Sequence, residues 1–278
     1  MRVARFSAGG DPAYGLVELT EDGGKHPDTV ATLTGDPMAM SVQLTGERHA
    51  LADVRLLAPV IPRSKVVCVG RNYAAHAAEM GNEVPRETPA TFFKPNTAVI
   101  GPDAPVLWPE GSTEVSYEGE LAVVIGRICK DVPVDQVQDV IFGYTIANDF
   151  TARDWQRSDV QWSRAKGFDT SCPIGPWIIA HFTLEEAGNL RIVTSVDGEV
   201  RQEGRTADMV HPIADLIAHI SSFTTLLPGD LVLTGTPPGV GLVEPGQRIT
   251  VEIEQMGTLA NTIMAAADAG EPIQQEEI

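Results

Sequence analysis

Two carboxylates one residue apart open the stretch of the chain with the most chemical potential, Ser116-Tyr117-Glu118-Gly119-Glu120-Leu121-Ala122-Val123-Val124-Ile125-Gly126. The uninterrupted apolar run after them, closed by a glycine, predicts a buried β-strand. Side chains alternate faces along a strand, so Glu118 and Glu120 share one face, about 7 Å apart along the chain. Like charges at the mouth of a buried strand repel, and partial loss of water strengthens the repulsion. A divalent cation would compensate them. A solvated strand end with two acids that do nothing is the alternative, and this stretch alone leaves both open.

Further groups capable of chemistry follow the ends of other apolar runs. Residues 71–81, alanine-rich and closed by Gly81, predict a short helix after the strand 65–70. On that helix His76 and Glu79 stand three apart and can hydrogen-bond; a plain surface pair is the alternative. Lys94 ends the apolar run 91–94 before Pro95 and reads as a solvated edge charge. A third carboxylate, Asp149, ends the apolar run 140–149, and Thr151, Arg153, Asp154 and Gln156 follow it directly. Lys166 precedes a glycine in a loop. The stretch from Gly235 to Gly241 lacks the Gly-Lys-Ser/Thr ending of a phosphate loop, and serves either as a turn or as a source of backbone N–H groups for an anion.

The elements that must position these groups are mostly short strands. Residues 1–62 predict a small β-rich unit, with strands at 2–6, 15–19 and 41–44, and the prolines at 59 and 62 place a boundary before a larger unit, 63–278. Asp197-Gly198 marks a hairpin. Residues 211–227 have the spacing of a core-packing helix, residues 248–254 form the last alternating strand, and the small, polar tail from about 267 frays. The class is α+β, rich in β.

Composition narrows the possible roles. The chain has 278 residues, 43% hydrophobic and 21% charged, with a formal net charge of −18. Nucleic acid is excluded as a partner, because phosphate backbones are held by clustered Lys and Arg. No apolar run is long enough to span a bilayer, and the start, Met1 to Ser7, lacks the apolar core of a signal peptide. Three scattered cysteines without a Cys-x-x-Cys pair indicate a reducing, cytoplasmic setting, and argue against disulfides and a thiolate zinc site.

Taken in order, Val69-Gly70-Arg71-Asn72-Tyr73 with His76, Phe93-Lys94-Pro95, Tyr117-Glu118-Gly119-Glu120-Leu121, Asn148-Asp149 with Ala152-Arg153-Asp154, Ala165-Lys166, and Thr234-Gly235-Thr236-Pro237 resemble the fumarylacetoacetate hydrolase superfamily. The resemblance covers about residues 63–265. The short N-terminal part is like that of compact bacterial members, related to acylpyruvate hydrolases and oxaloacetate decarboxylases. It implies a mixed β-roll catalytic domain, a homodimer, and Mg²⁺ or Mn²⁺ held by Glu118, Glu120 and Asp149. The substrate it implies is a small anionic 2-oxo acid, processed through a metal-stabilised enolate.

The same resemblance assigns Lys166 to substrate charge or proton relay, with a pKa lowered by burial beside a cation, and His76 with Glu79 to activation of water. Arg71, Lys94, Arg153 and Gln156 are candidates for substrate contacts, Arg153 pairing with Asp154 being the alternative for that residue, and Thr234, Gly235 and Thr236 complete a carboxylate pocket. The His76–Glu79 pair points toward C–C cleavage, by hydrolysis of an acylpyruvate or decarboxylation of oxaloacetate. A 2-hydroxyhepta-2,4-diene-1,7-dioate isomerase of aromatic catabolism is the alternative. A non-catalytic binding member of the fold would be expected to have lost a metal or lysine position, and all four are intact.

Overall fold

The apolar run after the two carboxylates forms the strand Gly119–Ile125, every residue of which is buried. An apolar run without alternation needs cover on both faces, and it has it. The computed structural model describes residues 1–20, 26–81, 83 and 85–265. In it this strand lies inside a 12-stranded mixed sheet. It pairs antiparallel with Ile141–Asn148 on one side and with Leu231–Leu233 on the other. Past Leu231–Leu233 come Val66–Gly70, paired parallel, and then Ala90–Lys94. Past Ile141–Asn148 come Cys172–Ile179 and then Arg2–Ser7. The prolines at 59 and 62 do not interrupt this sheet, because Arg2 and Val3 pair with Ile179 and Ile178. Ala13–Glu18, Thr29–Leu33 and Leu44–Ala50 continue it on the N-terminal side.

A second sheet of five strands, ordered Glu199–Arg205, Arg191–Val196, Arg248–Ile253, Gly257–Met264, Val106–Leu107, covers one face of the first. Leu121, Val123 and Ile125 pack there with Ile192, Val251 and Ile253, and with Leu216 and Ile220 of the helix Ile213–Phe223. Ala122 and Val124 point the other way, into a cluster with Cys68, Ala147 and Leu231. Glu120 has their parity, which puts it on the face opposite the second sheet. Gly119 faces that sheet. A Cβ there would fall inside the contact shell of Thr194 Oγ1 and 3.0 Å from Val251 Cγ1, so the missing side chain is what lets the two sheets close.

Several sequence expectations need correction. The helix around His76 is Ala74–Glu79 rather than 71–81, because Arg71 has φ +62° and breaks helical continuity. Arg248–Ile253 is not the last strand. Gly257–Met264 pairs with it across a tight turn and buries Leu259, Asn261 and Ile263 on one face. The N-terminal strand expected at 41–44 runs instead from Leu44 to Ala50, largely exposed, and Thr29–Leu33 joins it. Residues 197–198 make the hairpin with positive φ at both positions, as a two-residue turn of this hand requires. The tail from 267 lies outside the described residues. Among the described residues, no helix is long and apolar enough to cross a membrane.

Candidate active site

Strand register brings the three carboxylates together. Gly119 stands opposite Asn148, so the residues just outside each strand, Glu118 and Asp149, are neighbours. The backbone fixes them further: Asp149 N–H donates to Glu118 O at 2.8 Å, and Glu118 N–H donates to Asn148 Oδ1 at 2.9 Å. One oxygen from each of Glu118, Glu120 and Asp149 lies within 4.8 Å of the others, and all three residues are buried. Gly235 N–H donates to Glu120 Oε2 at 2.6 Å and aims that carboxylate. Three buried carboxylates this close fit a divalent cation, and an all-oxygen set suits Mg²⁺ or Mn²⁺ over zinc.

Cations already surround the group. Lys166 Nζ donates to Glu118 Oε2 and Asp149 Oδ2, both at 2.8 Å. Arg153 Nη2 donates to Glu118 Oε1 at 2.6 Å, and the same guanidinium holds Ser116 Oγ and Gln156 Oε1. Lys94 Nζ lies 2.7 Å from Asp149 Oδ1. Burial opposes ionisation of Glu118, but Lys166 and Arg153 outweigh it and lower its carboxyl to about 2. Glu120 goes the other way. Burial, then Asp149 and Glu118, push its carboxyl well above the usual range, and among the described residues no ion pair offsets them.

The surroundings of these cations are not all as the sequence suggests. Lys94 is not a solvated edge charge, and it is not among the residues that line the cleft beside the carboxylates. It is fully buried and donates to the carbonyls of Phe150, Ser171 and Lys166, so it braces Asp149 from behind. The lowered pKa expected for Lys166 belongs to a site that holds a cation; without one the balance is different. Burial favours the neutral amine, yet Asp149 and Glu118 outweigh it and hold the ammonium. Arg153 pairs with Glu118 rather than Asp154, which instead accepts Ser112 Oγ–H and Thr113 N–H.

A cleft of about 180 Å³ opens over Glu118, Glu120 and Lys166, and Arg71, His76, Arg153, Gln156 and Thr236 also line it. His76 is buried. Its pKa is lowered chiefly by burial, with Arg153 and Lys166 adding to the effect, so the ring is a neutral base. His76 Nδ1 and Glu79 Oε2 are 3.7 Å apart, beyond a hydrogen bond, and Glu79 Oε2 accepts Gly239 N–H at 2.9 Å instead. The hydroxyls of Thr234 and Thr236 donate to the carbonyls of Leu121 and Gly119, so they tie the loop to the strand rather than offering donors to a ligand.

Sequence reasoning missed the supports. Gln202, fully buried, accepts Gly119 N–H and donates to Thr236 Oγ1 and Pro237 O, linking the second sheet to the carboxylate strand and the Gly235 loop. Tyr117 O–H donates to Gly239 O and steadies the backbone that holds Glu79. Phe92 and Trp162, in edge-to-face contact, form an apolar wall of the cleft, and Lys166 Nζ sits 5.1 Å from the Phe92 ring centre. A glycine at position 70 leaves room for that wall, since a Cβ would lie 3.3 Å from the Trp162 ring.

Proteins similar to this chain include ones named as a tautomerase, an isomerase and a hydrolase. Oxaloacetate tautomerase Fahd2a, mitochondrial, of Rattus norvegicus is 42% identical over 221 residues, covering 77% of this chain and 70% of that protein. The crystal structure of a 2-hydroxyhepta-2,4-diene-1,7-dioate isomerase from Mycobacterium marinum is similar at a TM-score of 0.86 and 44% identity, covering 96% of this chain and 99% of that one. A fumarylpyruvate hydrolase from Pseudomonas aeruginosa, solved in complex with Mn²⁺ and pyruvate, has a TM-score of 0.69 at 36% identity, covering 76% and 92%. Residues 1–59 match the family described as Rv2993c-like, N-terminal. Residues 65–264 match the fumarylacetoacetate hydrolase C-terminal family, and the chain belongs to that family.

Proposed function

We propose that this protein is a divalent-metal-dependent enzyme that converts small 2-oxo acids through an enolate. The observation that carries the reading is a group of three mutually close buried carboxylates, two of which, Glu118 and Glu120, line a cleft together with one neutral buried imidazole. A cation held by Glu118, Glu120 and Asp149 would supply a Lewis acid for the keto group and counter-charge for the electrons displaced onto it. His76 takes the proton from the carbon beside the keto group in one direction and returns it in the other. The Lys166 ammonium and the Arg153 guanidinium place fixed positive charge where the substrate gains negative charge. Phe92 and Trp162 keep bulk water from the reacting carbon.

Chemistry needing no attacking water fits best, namely keto–enol tautomerisation or decarboxylation of an oxaloacetate-type acid. Support comes from the one ready base, His76, and from the tautomerase named among the relatives. Hydrolytic C–C cleavage is the second reading, favoured by Glu79, which is 3.7 Å from His76 Nδ1 and would complete a water-activating pair after a small movement. The deciding experiment follows oxaloacetate, acetylpyruvate and a hydroxymuconate-type dienol with Mg²⁺ and with chelator. Metal-dependent loss of the oxaloacetate enol signal is the expected result. Absence of metal-dependent turnover of every acid would sink the reading.

A further inference from the structure

Gln202 is the one buried residue of the strand Glu199–Arg205, the edge of the five-stranded sheet, and its neighbours Arg201 and Glu203 are exposed. An apolar side chain would fill that position without withdrawing an amide from water. The bonds of the amide show what it does there. Its oxygen accepts Gly119 N–H at 3.0 Å, and its nitrogen donates to Thr236 Oγ1 and to Pro237 O, both at 2.8 Å. Gly119 N–H can meet only an acceptor and Pro237 O only a donor, so a single orientation of the amide satisfies both.

These bonds close a ring. Thr236 Oγ1 gives its proton to Gly119 O at 2.8 Å and accepts from Gln202 with a lone pair. The N–H of Gly119 belongs to the peptide that joins it to Glu118, and its C=O to the peptide that joins it to Glu120. Both rigid planes between the two carboxylates are therefore clamped. The loop that supplies Thr236 also supplies Gly235 N–H, the donor that aims Glu120. That loop is pressed onto the strand of Gln202. A Cβ at Gly204 would fall inside the contact shell of Pro237, and one at Gly239 inside that of the Arg201 carbonyl.

We infer that Gln202 is a positioning residue of the metal site, setting the separation of Glu118 and Glu120 so that it suits Mg²⁺ over the larger Ca²⁺. This rests on the metal-dependent function proposed above and adds to it a residue from the second sheet. Mg²⁺ demands near-octahedral ligands at about 2.0–2.1 Å, whereas Ca²⁺ accepts irregular ones at about 2.3–2.6 Å. Slack between the carboxylates costs the smaller ion more affinity than the larger.

The test titrates Mg²⁺ and Ca²⁺ calorimetrically into the chelator-stripped full chain, without substrate, for the wild type, Gln202→Met, Thr236→Val and Thr236→Ser. Met keeps the length of Gln without its amide, and Val the shape of Thr without its hydroxyl. Gln202→Met and Thr236→Val are each expected to weaken Mg²⁺ about tenfold and Ca²⁺ less than about threefold, with Thr236→Ser close to the wild type. Ile253→Val, a core change in the same sheet, should lower the melting midpoint and leave both affinities unchanged. Mg²⁺ affinity retained in Gln202→Met, equal losses for the two ions, or the same loss in Ile253→Val overturns the assignment alone. If Gln202→Met does not fold, Thr236→Val decides by the same criteria. Binding of neither ion by the wild type overturns the assignment together with the function on which it rests.

Discussion

Lys94 Nζ and Asp149 Oδ1 stand 2.7 Å apart, with both side chains withdrawn from solvent. Because Lys94 spends its other bonds on carbonyls, it serves as a fixed counter-ion beneath the site. Removing one partner of a buried pair leaves the other uncompensated. Lys94→Met is expected to cost about 3–5 kcal/mol of stability in urea unfolding and to weaken Mg²⁺ binding as Asp149 turns toward Lys166. A variant as stable as the parent would mean that the lysine is dispensable.

Glu120→Gln should separate stability from metal binding. An acid with a raised folded pKa keeps its proton in the native state where the unfolded chain has lost it. Without metal, the contribution of Glu120 to stability is thus full below the ordinary 4.5 and declines as pH rises above it. Glu118 acts in the opposite sense, its contribution being present above 4.5 and lost as pH falls toward 2. In chelator, the Gln variant is expected to lose less stability than the parent between pH about 5 and 8. Mg²⁺ at a hundred times its dissociation constant should stabilise the parent by about 2.7 kcal/mol and leave the variant unmoved, as read from thermal melts.

For His76, burial lowers the pKa below the ordinary 6.5. The ring stays neutral as pH falls through 6.5 and protonates only further down. At saturating metal, the acid limb of kcat is expected below pH 6.5. His76→Gln should reduce kcat by about 10²–10⁴-fold while metal-induced stabilisation survives. An acid limb above 6.5 would assign the titration to another group.

Glu79→Gln keeps an oxygen for Gly239 N–H but removes the charge beside His76. Oxaloacetate tautomerisation is expected to fall by less than about threefold, and acylpyruvate hydrolysis by about a hundredfold. Following the enol absorbance and acid release side by side tells the two apart. An equal loss would place Glu79 in the proton transfer common to both.

Gly119→Ala places a methyl group against Thr194 and Val251. Overpacking at this sheet–sheet contact should cost about 1–3 kcal/mol, measured by denaturant midpoint at unchanged slope. A neutral result would show that the second sheet shifts easily.

What the sequence revealed about the site follows the range of the interactions. The shared face of Glu118 and Glu120 is a local property of a strand, readable from parity alone, and the apolar run ending at Asp149 was equally plain. Two errors came from partners distant in sequence. Lys94 looked like an edge charge because nothing near it hints at the carbonyls of Phe150 and Ser171, 56 and 77 residues away. Gln202 gave no local signal, since its role depends on one sheet meeting another 83 residues distant at Gly119. Leu259, Asn261 and Ile263 do alternate on one face, but polar neighbours hid the strand that carries them. Arg71 was legible as a cation near the site, whereas its left-handed backbone was not, because the turn-forming residues Gly70 and Asn72 flank it and the positive φ falls on the arginine between them.

The pairing of Arg2 and Val3 with Ile179 and Ile178 bears on how the edge of the central sheet is protected. Cys172–Ile179 is eight buried residues, and its end at Ile178 and Ile179 is covered by the first strand of the chain. Were residues 1–62 cut away, that apolar end would be left with unpaired backbone groups, a place for strands from other copies to add. The N-terminal unit, none of whose described residues lines the cleft, thereby acts as a hem: it finishes the fabric of the catalytic sheet, and a shortened chain would be expected to fray into aggregates before its chemistry could be measured.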